Sequence, residues 1–279
     1  TGAGITVSTN GHADPWVIHG SDSGMVVAWE ITSQTAHEEV WSTNSESNEN
    51  LLYSIEGGGA YGVAIGNIDN DDALEMLVGS SSGRVYAYDG ITYETDWVSP
   101  VLEKNAIGIA IGDLNNDGVN DIVVGADESD CVSCTGNNSG SAYIMFMNTD
   151  GSVDSTVEIN DSTTNGPVMI ATDNFGNSIA NIGDLNDDGV NEIVVGALKD
   201  DGSGTERGAV YIMHMNTDGS IDSTVEINDS TTNGPTLSNS DHFGSSVANI
   251  GDLDGNGVDD IAVGARLDDN GGNARGALH

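Results

Sequence analysis

GDLNNDGVNDIVVGA, residues 112–126, is one of four closely related stretches in this chain. The others are GNIDNDDALEMLVGS (66–80), GDLNDDGVNEIVVGA (183–197) and GDLDGNGVDDIAVGA (251–265). Each stretch contains a nine-residue loop with oxygen-bearing side chains at positions one, three, five and nine, followed by a short apolar segment. The four acidic loops are 67–75, 113–121, 184–192 and 252–260. A unit repeated in this way predicts a repeat architecture.

Each acidic loop offers three carboxylates and one amide at these four positions. The amide moves between positions one, three and five while the number of carboxylates stays constant, as a hard divalent cation with several oxygen ligands requires. The sequence therefore predicts one Ca2+ in each loop, and acidic turns without a metal are the alternative. With position seven, which supplies a main-chain carbonyl in the related EF-hand loop, the predicted ligands are Asn67, Asp69, Asp71, Ala73 and Glu75; Asp113, Asn115, Asp117, Val119 and Asp121; Asp184, Asn186, Asp188, Val190 and Glu192; and Asp252, Asp254, Asn256, Val258 and Asp260.

The EF-hand begins with the same spacing of acids, so position twelve has to distinguish the two kinds of loop. A helix-flanked EF-hand loop ends with a bidentate Glu at that position. In this chain, position twelve is Val78, Val124, Val195 and Val263. The β-branched segments around these valines predict buried strands, so each acidic loop is expected to join two strands and not two helices.

Position six of the acidic loops is Gly118, Gly189 and Gly257 in the last three copies. Glycine there suits a backbone with positive φ in a tight turn. The first copy has Asp72 at this position. The 67–75 loop is therefore the one that departs most from the pattern.

The four stretches resemble the FG-GAP repeats of integrin α-subunit β-propellers and their prokaryotic relatives. Phe-Gly pairs stand at 175–176 and 243–244, and Gly-Ala pairs at 125–126, 196–197 and 264–265. The resemblance covers about residues 60–279. It implies a propeller of four-stranded blades with calcium in the hairpin between the first two strands of a blade, and it implies little about activity.

This chain departs from the family pattern at several points. No proline follows the Gly-Ala pairs, and Gly79 is followed by Ser80. The two earlier repeats have Tyr-Gly at 61–62 and Ile-Gly at 107–108 in place of Phe-Gly.

The repeat also predicts the fold without the family. The loops begin at Asn67, Asp113, Asp184 and Asp252, which are 46, 71 and 68 residues apart. One unit predicts four strands, at 175–183, 192–197, 208–216 and 221–228, with Thr-Asp-Gly-Ser turns joining the third to the fourth. Four strands a unit without helical periodicity favour an all-β propeller of four-stranded antiparallel blades, of which about four to five are present. A β-sandwich is the second choice.

The predicted organisation is a single propeller segment over residues 1–279. It consists of a degenerate blade at 1–59, calcium-loop blades at 60–105, 106–174 and 175–242, and an incomplete blade at 243–279. Because the last of these resembles the beginning of a blade only, we expect the sequence to be a fragment of a longer protein.

The composition is strongly acidic, with 45 Asp and Glu against 6 Lys and Arg and a formal net charge of −39. Such a charge makes nucleic acid and anionic membrane surfaces poor partners. It fits a saline exterior, with an acidic solvated face as the alternative reading. Cys131 and Cys134 are the only cysteines, and we expect them to form a disulfide in an oxidising, extracellular compartment, with free thiols as the alternative.

No nucleophile elbow or repeated histidine partner is visible, and nearly all acid pairs have a calcium or turn explanation. We therefore expect a non-catalytic protein of the cell exterior or surface that works in adhesion or recognition. The alternatives are a propeller module of a secreted hydrolase or polysaccharide-degrading enzyme, with its catalytic part elsewhere, and a structural surface-layer component.

Most of the cations fall in connections between second and third strands, at the blade ends opposite the acidic loops. These are Lys199, Arg207, Arg266 and Arg275. They predict a docking face for an extracellular protein carboxylate or an acidic glycan. Pairing with acidic neighbours in the same connections is the alternative.

Overall fold

The structure is a computed structural model of the 279-residue chain. The residues that it describes are 2–8, 16–21, 26–33, 36–42, 60–69, 71, 73–92, 94–102, 104–130, 132, 137–269 and 275–279. Within these ranges there is no helix, and so none with the length and hydropathy needed to cross a membrane.

The strands form five antiparallel sheets, which we number in chain order. Sheet 1 consists of β1 (Gly2–Ser8), β2 (Trp16–Ser21), β3 (Val26–Ser33) and β4 (Ala36–Ser42). Sheet 2 consists of β5 (Ala60–Gly66), β6 (Glu75–Ser80), β7 (Val85–Asp89) and β8 (Thr95–Val98). Sheet 3 consists of β9 (Ile109–Gly112), β10 (Asp121–Ala126), β11 (Ser141–Met147) and β12 (Val153–Ile159).

The remaining two sheets follow the same order. Sheet 4 consists of β13 (Phe175–Asn181), β14 (Ile193–Ala197), β15 (Ala209–Met215) and β16 (Ile221–Ile227). Sheet 5 has three described strands, β17 (Phe243–Gly251), β18 (Asp260–Ala265) and β19 (Ala277–Leu278). In every sheet, strands that are consecutive in the chain are neighbours. Sheets 1 to 4 are the four-stranded blades of an all-β propeller, which confirms the predicted fold class and excludes the β-sandwich.

Successive sheets pack through their first strands. β1 contacts β5, β5 contacts β9, β9 contacts β13, and β13 contacts β17. One core cluster contains Ile144 of sheet 3 together with Val195 and Met213 of sheet 4, all with essentially no exposed surface. In the same cluster, the rings of Phe175 and Tyr211 meet edge to face with their centroids 5.7 Å apart. The hydrophobic core therefore lies between faces of neighbouring sheets.

Glycine contacts at the sheet boundaries explain the two ends of the FG-GAP pattern. Gly125 lies in the buried strand β10, and a Cβ added there would lie 1.8 Å from the carbonyl oxygen of Gly176 in sheet 4. Gly196 has the same relation to Gly244 in sheet 5, at 2.1 Å. Gly176 has φ +92°, which favours glycine for conformational reasons as well. The Gly-Ala end of one blade thus meets the Phe-Gly end of the next.

Candidate metal centre

The four acidic loops occupy equivalent places in sheets 2 to 5. Each loop joins the first strand of its sheet to the second, as predicted. The valines at position twelve are buried within the second strands, which confirms that no helix follows the loop. At position six, Gly118, Gly189 and Gly257 have φ values of +87°, +90° and +91°. The positive φ expected at this position is therefore confirmed in three loops, while Asp72 lies outside the described residues.

Side-chain oxygens of the 113–121 loop accept hydrogen bonds from its own backbone. Asp113 accepts from the N–H groups of Asp117 and Gly118, at 3.1 and 2.9 Å. Asp117 accepts from Val119 at 2.8 Å, and its other oxygen accepts from the Asn115 amide at 2.8 Å. These bonds turn the polar side chains toward the inside of the loop, where a cation would need them.

The other two glycine-containing loops repeat this arrangement. In the 184–192 loop, Asp184 accepts from the N–H groups of Asp188 and Gly189, at 3.0 and 2.8 Å. In the 252–260 loop, Asp252 accepts from the N–H groups at 255, 256 and 257. One carboxylate oxygen each from Asp252, Asp254 and Asp260 lie within 4.8 Å of one another. The last loop therefore brings together the acids of positions one, three and nine.

The 67–75 loop brings a different set of acids together. Carboxylate oxygens of Asp69, Glu75 and Asp96 lie within 4.8 Å of one another. Asp96 belongs to β8, the fourth strand of the same sheet, and the sequence did not identify it as a site residue. At position one, Asn67 donates its amide N–H to the main-chain oxygen of Asp71 at 2.7 Å, whereas the other loops have an accepting Asp there.

Position nine of the 67–75 loop is a buried carboxylate with one free oxygen. Glu75 has no exposed surface, and its Oε2 accepts a hydrogen bond of 2.7 Å from the Ile68 N–H. Its Oε1 is buried and has no hydrogen-bond partner among the residues described around it, which do not include positions 70 and 72. Burial raises the pKa of Glu75 to about 7, and the charges of Asp69, Asp71 and Asp96 act in the same direction.

The equivalent residue of sheet 4 is in the same situation. Glu192 has no exposed surface, and its Oε2 accepts from the Leu185 N–H at 2.6 Å. Within the described ranges, its Oε1 has no hydrogen-bond partner. His214 on β15 places Nδ1 3.8 Å from this Oε1. Burial raises the pKa of Glu192, and the His214 charge opposes the increase. Sequence reasoning did not connect His214 with the loop because the two are joined only by strand pairing.

The hydrogen bonding of the buried carboxylate oxygens at position nine shows whether the loops suit a cation. A buried carboxylate oxygen without a partner costs free energy unless a hydrogen bond or a positive charge compensates for it. Asp121 of sheet 3 meets this need with protein donors, because its two oxygens accept from the N–H groups of Leu114 and Met147. Glu75 and Glu192 each keep one oxygen for another partner, and an oxygen-seeking divalent cation fits the surrounding acids.

The position-seven residues pack into the core in three of the four loops. The side chains of Ala73, Val119 and Val190 are buried, whereas Val258 is 44% exposed. The N–H of each of these residues donates to the side-chain oxygen at position five, as Val190 does to Asp188 at 2.8 Å. The residue is therefore fixed beside the polar centre of the loop.

The predicted docking cations lie in the connections 198–208 and 266–276, between second and third strands. Arg207 forms a short ion pair with Asp229 and donates to Asn239 Oδ1 at 3.0 Å, so this cation is already paired within the chain. Arg266 donates to His242 Nδ1 at 3.3 Å, and the Arg275 N–H donates to the Asp268 carbonyl at 3.1 Å.

Two of the cations share their surroundings. Burial raises the pKa of Asp127 to about 7, and both Lys199 and Arg266 oppose that increase. Burial also lowers the pKa of His242, to which Arg266 and Lys199 contribute in the same direction. Lys199 and Arg266 come from different sheets and act on the same two groups. Cys131 and Cys134, predicted to form a disulfide, lie outside the described residues.

Comparison with known proteins places these loops in a family context. The FG-GAP repeat model matches residues 105–145 and 175–213. The chain is 41% identical to integrin alpha pat-2 of Caenorhabditis briggsae over 91 residues. This aligned stretch covers 33% of this chain and 7% of that protein. The chain is also 37% identical to integrin alpha-4 of Xenopus laevis over 95 residues, a stretch that covers 34% of this chain and 9% of that protein.

A third relative shows the same partial coverage. Integrin alpha-PS5 of Drosophila melanogaster is 34% identical over 91 residues, 33% of this chain and 9% of that protein. The matched stretches are thus less than a tenth of the length of these relatives. The loops at 113–121 and 184–192 both lie inside the matched residues, and these two matched units contain FG-GAP repeats. Over about a third of its length, the chain is similar to integrin α subunits.

Proposed function

We propose that the chain is a calcium-stabilised, non-catalytic propeller of the cell exterior that works in adhesion or recognition. The observation that carries the metal assignment is the pair of buried oxygens, Glu75 Oε1 and Glu192 Oε1, which stand at position nine of an acidic loop and have no hydrogen-bond partner among the described residues. The adhesion part of the proposal is supported by the similarity to integrin α subunits.

Calcium in these loops would act on stability. Each loop joins the first two strands of a sheet, and a cation would offset the repulsion between its three carboxylates. Ligand binding to the folded state alone stabilises a protein by mass action, by about 2.7 kcal/mol for a site at one hundred times its Kd. Sites of extracellular modules bind calcium with Kd values of roughly 0.1–1 mM.

The test is to measure thermal unfolding of the full chain in chelator, in calcium and in magnesium. Calcium should raise the melting temperature strongly, and magnesium should do so less because it requires a smaller, octahedral set of ligands. Titration calorimetry of the parent and of the Asp252→Asn, Asp254→Asn double variant should differ by about one bound calcium. Equal melting curves in chelator and calcium would remove the metal assignment.

The docking face is the second element of the proposal. The connections with Lys199, Arg207, Arg266 and Arg275 follow second strands, whereas the acidic loops precede them. Antiparallel strands place these two kinds of connection at opposite ends of a blade. The proposed ligand is an extracellular protein carboxylate or an acidic glycan, bound away from the calcium loops. Since Arg207 is paired with Asp229, Lys199 and Arg266 are the cations we expect to contribute most.

The competing proposal is a propeller module of a secreted hydrolase or polysaccharide-degrading enzyme whose catalytic part lies outside this sequence. The coding sequence that flanks residues 1–279 in the gene separates the two proposals. A catalytic module in the flanking sequence would favour the enzyme, whereas a membrane or sorting anchor would favour the adhesion protein.

A further inference from the structure

The cavity beside the 67–75 loop is unlike the predicted calcium site because a residue from outside the loop reaches it. Its volume is about 150 Å3, and its lining includes Asp69, Glu75, Asp96 and Trp97 of sheet 2. On the other side it is lined by Asp150 and Gly151, in the turn between β11 and β12 of sheet 3. A Cβ on Gly151 would lie 3.1 Å from Asp69 Cβ, so this turn closes the cavity tightly.

Two independent observations indicate that the cavity holds a cation. The first is the approach of three carboxylate oxygens, from Asp69, Glu75 and Asp96, to within 4.8 Å of one another. The second is that Glu75 has no exposed surface and lines this cavity, while its Oε1 has no hydrogen-bond partner in the part of the chain that the structure describes. Like charges at this separation repel, and a divalent cation with oxygen ligands removes both the repulsion and the unmet bond.

A β-bulge accounts for the position of Asp96. In the pairing of β7 with β8, Ala87 faces Trp97 and Tyr88 faces Thr95, so Asp96 has no partner across the strand pair. Bulges redirect side chains and often occur beside functional sites. The extra residue is thereby available to the neighbouring acidic loop.

The same bulge occurs in the next two sheets, with an aspartate at the extra position each time. In sheet 3, Met147 faces Val153 and Phe146 faces Ser155, which leaves Asp154. In sheet 4, the corresponding residue is Asp222, between Ile221 and Ser223. Among the described residues, only the Asp96 copy joins a group of three carboxylates with its loop. Asp154 and Asp222 are therefore natural controls for Asp96.

Sheet 2 also differs from sheets 3 and 4 in the residue at position one of its acidic loop. Position one is Asp113 in sheet 3 and Asp184 in sheet 4, and each accepts two backbone hydrogen bonds. In sheet 2 it is Asn67, which donates to the loop backbone. The 67–75 loop thus lacks the carboxylate of position one and has an additional one nearby, on the fourth strand.

We propose that Asp96 is a direct carboxylate ligand of the divalent cation held by Asp69 and Glu75, so that the fourth strand completes this site. The proposal rests on the calcium assignment made above. It adds a ligand that the nine-residue loop pattern does not contain, and it places the cation where the β11–β12 turn of the following sheet covers it.

Trp97 provides a local signal for the test, because it lines the same cavity and can transfer excitation energy to bound Tb3+. The full chain, freed of calcium, is titrated with Tb3+ while tryptophan is excited. The part of the emission lost in a Trp97→Phe variant reports this site. Asp96→Asn and Asp96→Ala should weaken the Trp97-dependent titration on the order of tenfold, since ligand charge sets the affinity of such sites. Asp154→Asn should leave it unchanged.

The outcomes separate this inference from the calcium assignment. If Asp96→Asn and Asp96→Ala titrate like the parent, or if Asp154→Asn weakens binding equally, Asp96 is not a ligand, whatever calcium does to the melting temperature. If the parent shows no Trp97-dependent emission and no calcium-dependent melting shift, both proposals are wrong. In chelator, the Asp96 variants should melt at or above the melting temperature of the parent, because one of three mutually repelling carboxylates is removed. A weaker titration then reports binding and not unfolding.

Discussion

Asn120 Nδ2 donates a hydrogen bond of 2.8 Å to the main-chain oxygen of Asn67, the first residue of the acidic loop in the preceding sheet. Asn191 repeats the contact, donating to the main-chain oxygen of Asp113 at 3.0 Å. Both donors stand at position eight of their loops. The acidic loops of sheets 2, 3 and 4 are therefore joined across sheet boundaries, and the geometry of one of these loops depends on its neighbour.

Removing this donor should destabilise the propeller. Asn120→Ala and Asn191→Ala should each lower the free energy of unfolding by about 1 kcal/mol, because the acceptor carbonyl loses its partner. Urea unfolding in saturating calcium measures the change. Asn120→Leu is the shape control, since Leu74 occupies position eight in the 67–75 loop. Unchanged midpoints for both alanine variants would show that the contact contributes nothing measurable.

Two glycines of sheet 3 should respond very differently to alanine. Gly118→Ala places a methyl group in open space at φ +87°, so only the backbone conformation is penalised, by roughly 1 kcal/mol. Gly125→Ala would place Cβ 1.8 Å from Gly176 O in the next sheet, which forces the two sheets apart. We expect Gly125→Ala to lower the free energy of unfolding by more than about 3 kcal/mol, which is at the upper limit of the usual cost of overpacking a core.

Denaturant unfolding of the two alanine variants in calcium provides the comparison. Gly196→Ala is a second example of the boundary contact, with Gly244 as its neighbour. Similar losses for Gly118→Ala and Gly125→Ala would contradict the assignment of the Gly-Ala glycine to the packing between sheets.

The buried carboxyl group of Asp173 should make stability depend on pH. Asp173 is 2% exposed, and burial raises its pKa to about 7, with Asp200, Asp201 and Glu226 acting in the same direction. The folded state therefore holds a proton that the unfolded state has released. The stability gained from that proton is complete below about pH 4 and is lost as the pH rises through about 7.

Asp173→Asn should remove this part of the pH dependence. Relative to the parent, the variant should gain about 1–2 kcal/mol of unfolding free energy at pH 8 and little at pH 4. Urea titrations of both proteins in saturating calcium suffice, because effects of pH on the calcium sites cancel in the difference. A variant that is less stable than the parent at pH 8 would show that the ionised carboxylate is favoured there.

Charge removal on the proposed docking face should weaken ligand capture without affecting the acidic loops. Lys199→Gln with Arg266→Gln should reduce binding to an acidic glycan array, and the effect should fade with salt because exposed charges are screened over about 8 Å at physiological ionic strength. Arg207→Gln should lower stability instead, since it breaks the pair with Asp229. Normal capture of the glycan by the double variant would show that Lys199 and Arg266 pair only with acidic neighbours in their own connections and do not bind a ligand.

Much of the fold was predictable because it depends on short-range patterns. The strands predicted at 175–183, 192–197, 208–216 and 221–228 are observed as Phe175–Asn181, Ile193–Ala197, Ala209–Met215 and Ile221–Ile227. The turn glycines and buried valines were predictable for the same reason. Each is determined by its own segment.

The site residues that were missed depend on pairing between segments. Asp96 reaches its loop through a bulge in β8. His214 reaches Glu192 from β15, which pairs with β14, the strand that follows Glu192. Asn120 contacts a loop of another sheet. The recurrence of Asp at 96, 154 and 222 was a visible signal, but only strand register shows that it marks equivalent positions.

The contact between the Gly-Ala end of one blade and the Phe-Gly end of the next has a consequence for how such chains evolve. Because each repeat carries both halves, a tandem duplication of one whole repeat recreates a matched boundary on either side of the new copy. The run STVEINDSTTNGP, present at 155–167 and again at 223–235, is what a duplication of this kind leaves behind. Unequal crossing-over within the gene can therefore add or remove a blade in one step without exposing an unmatched sheet.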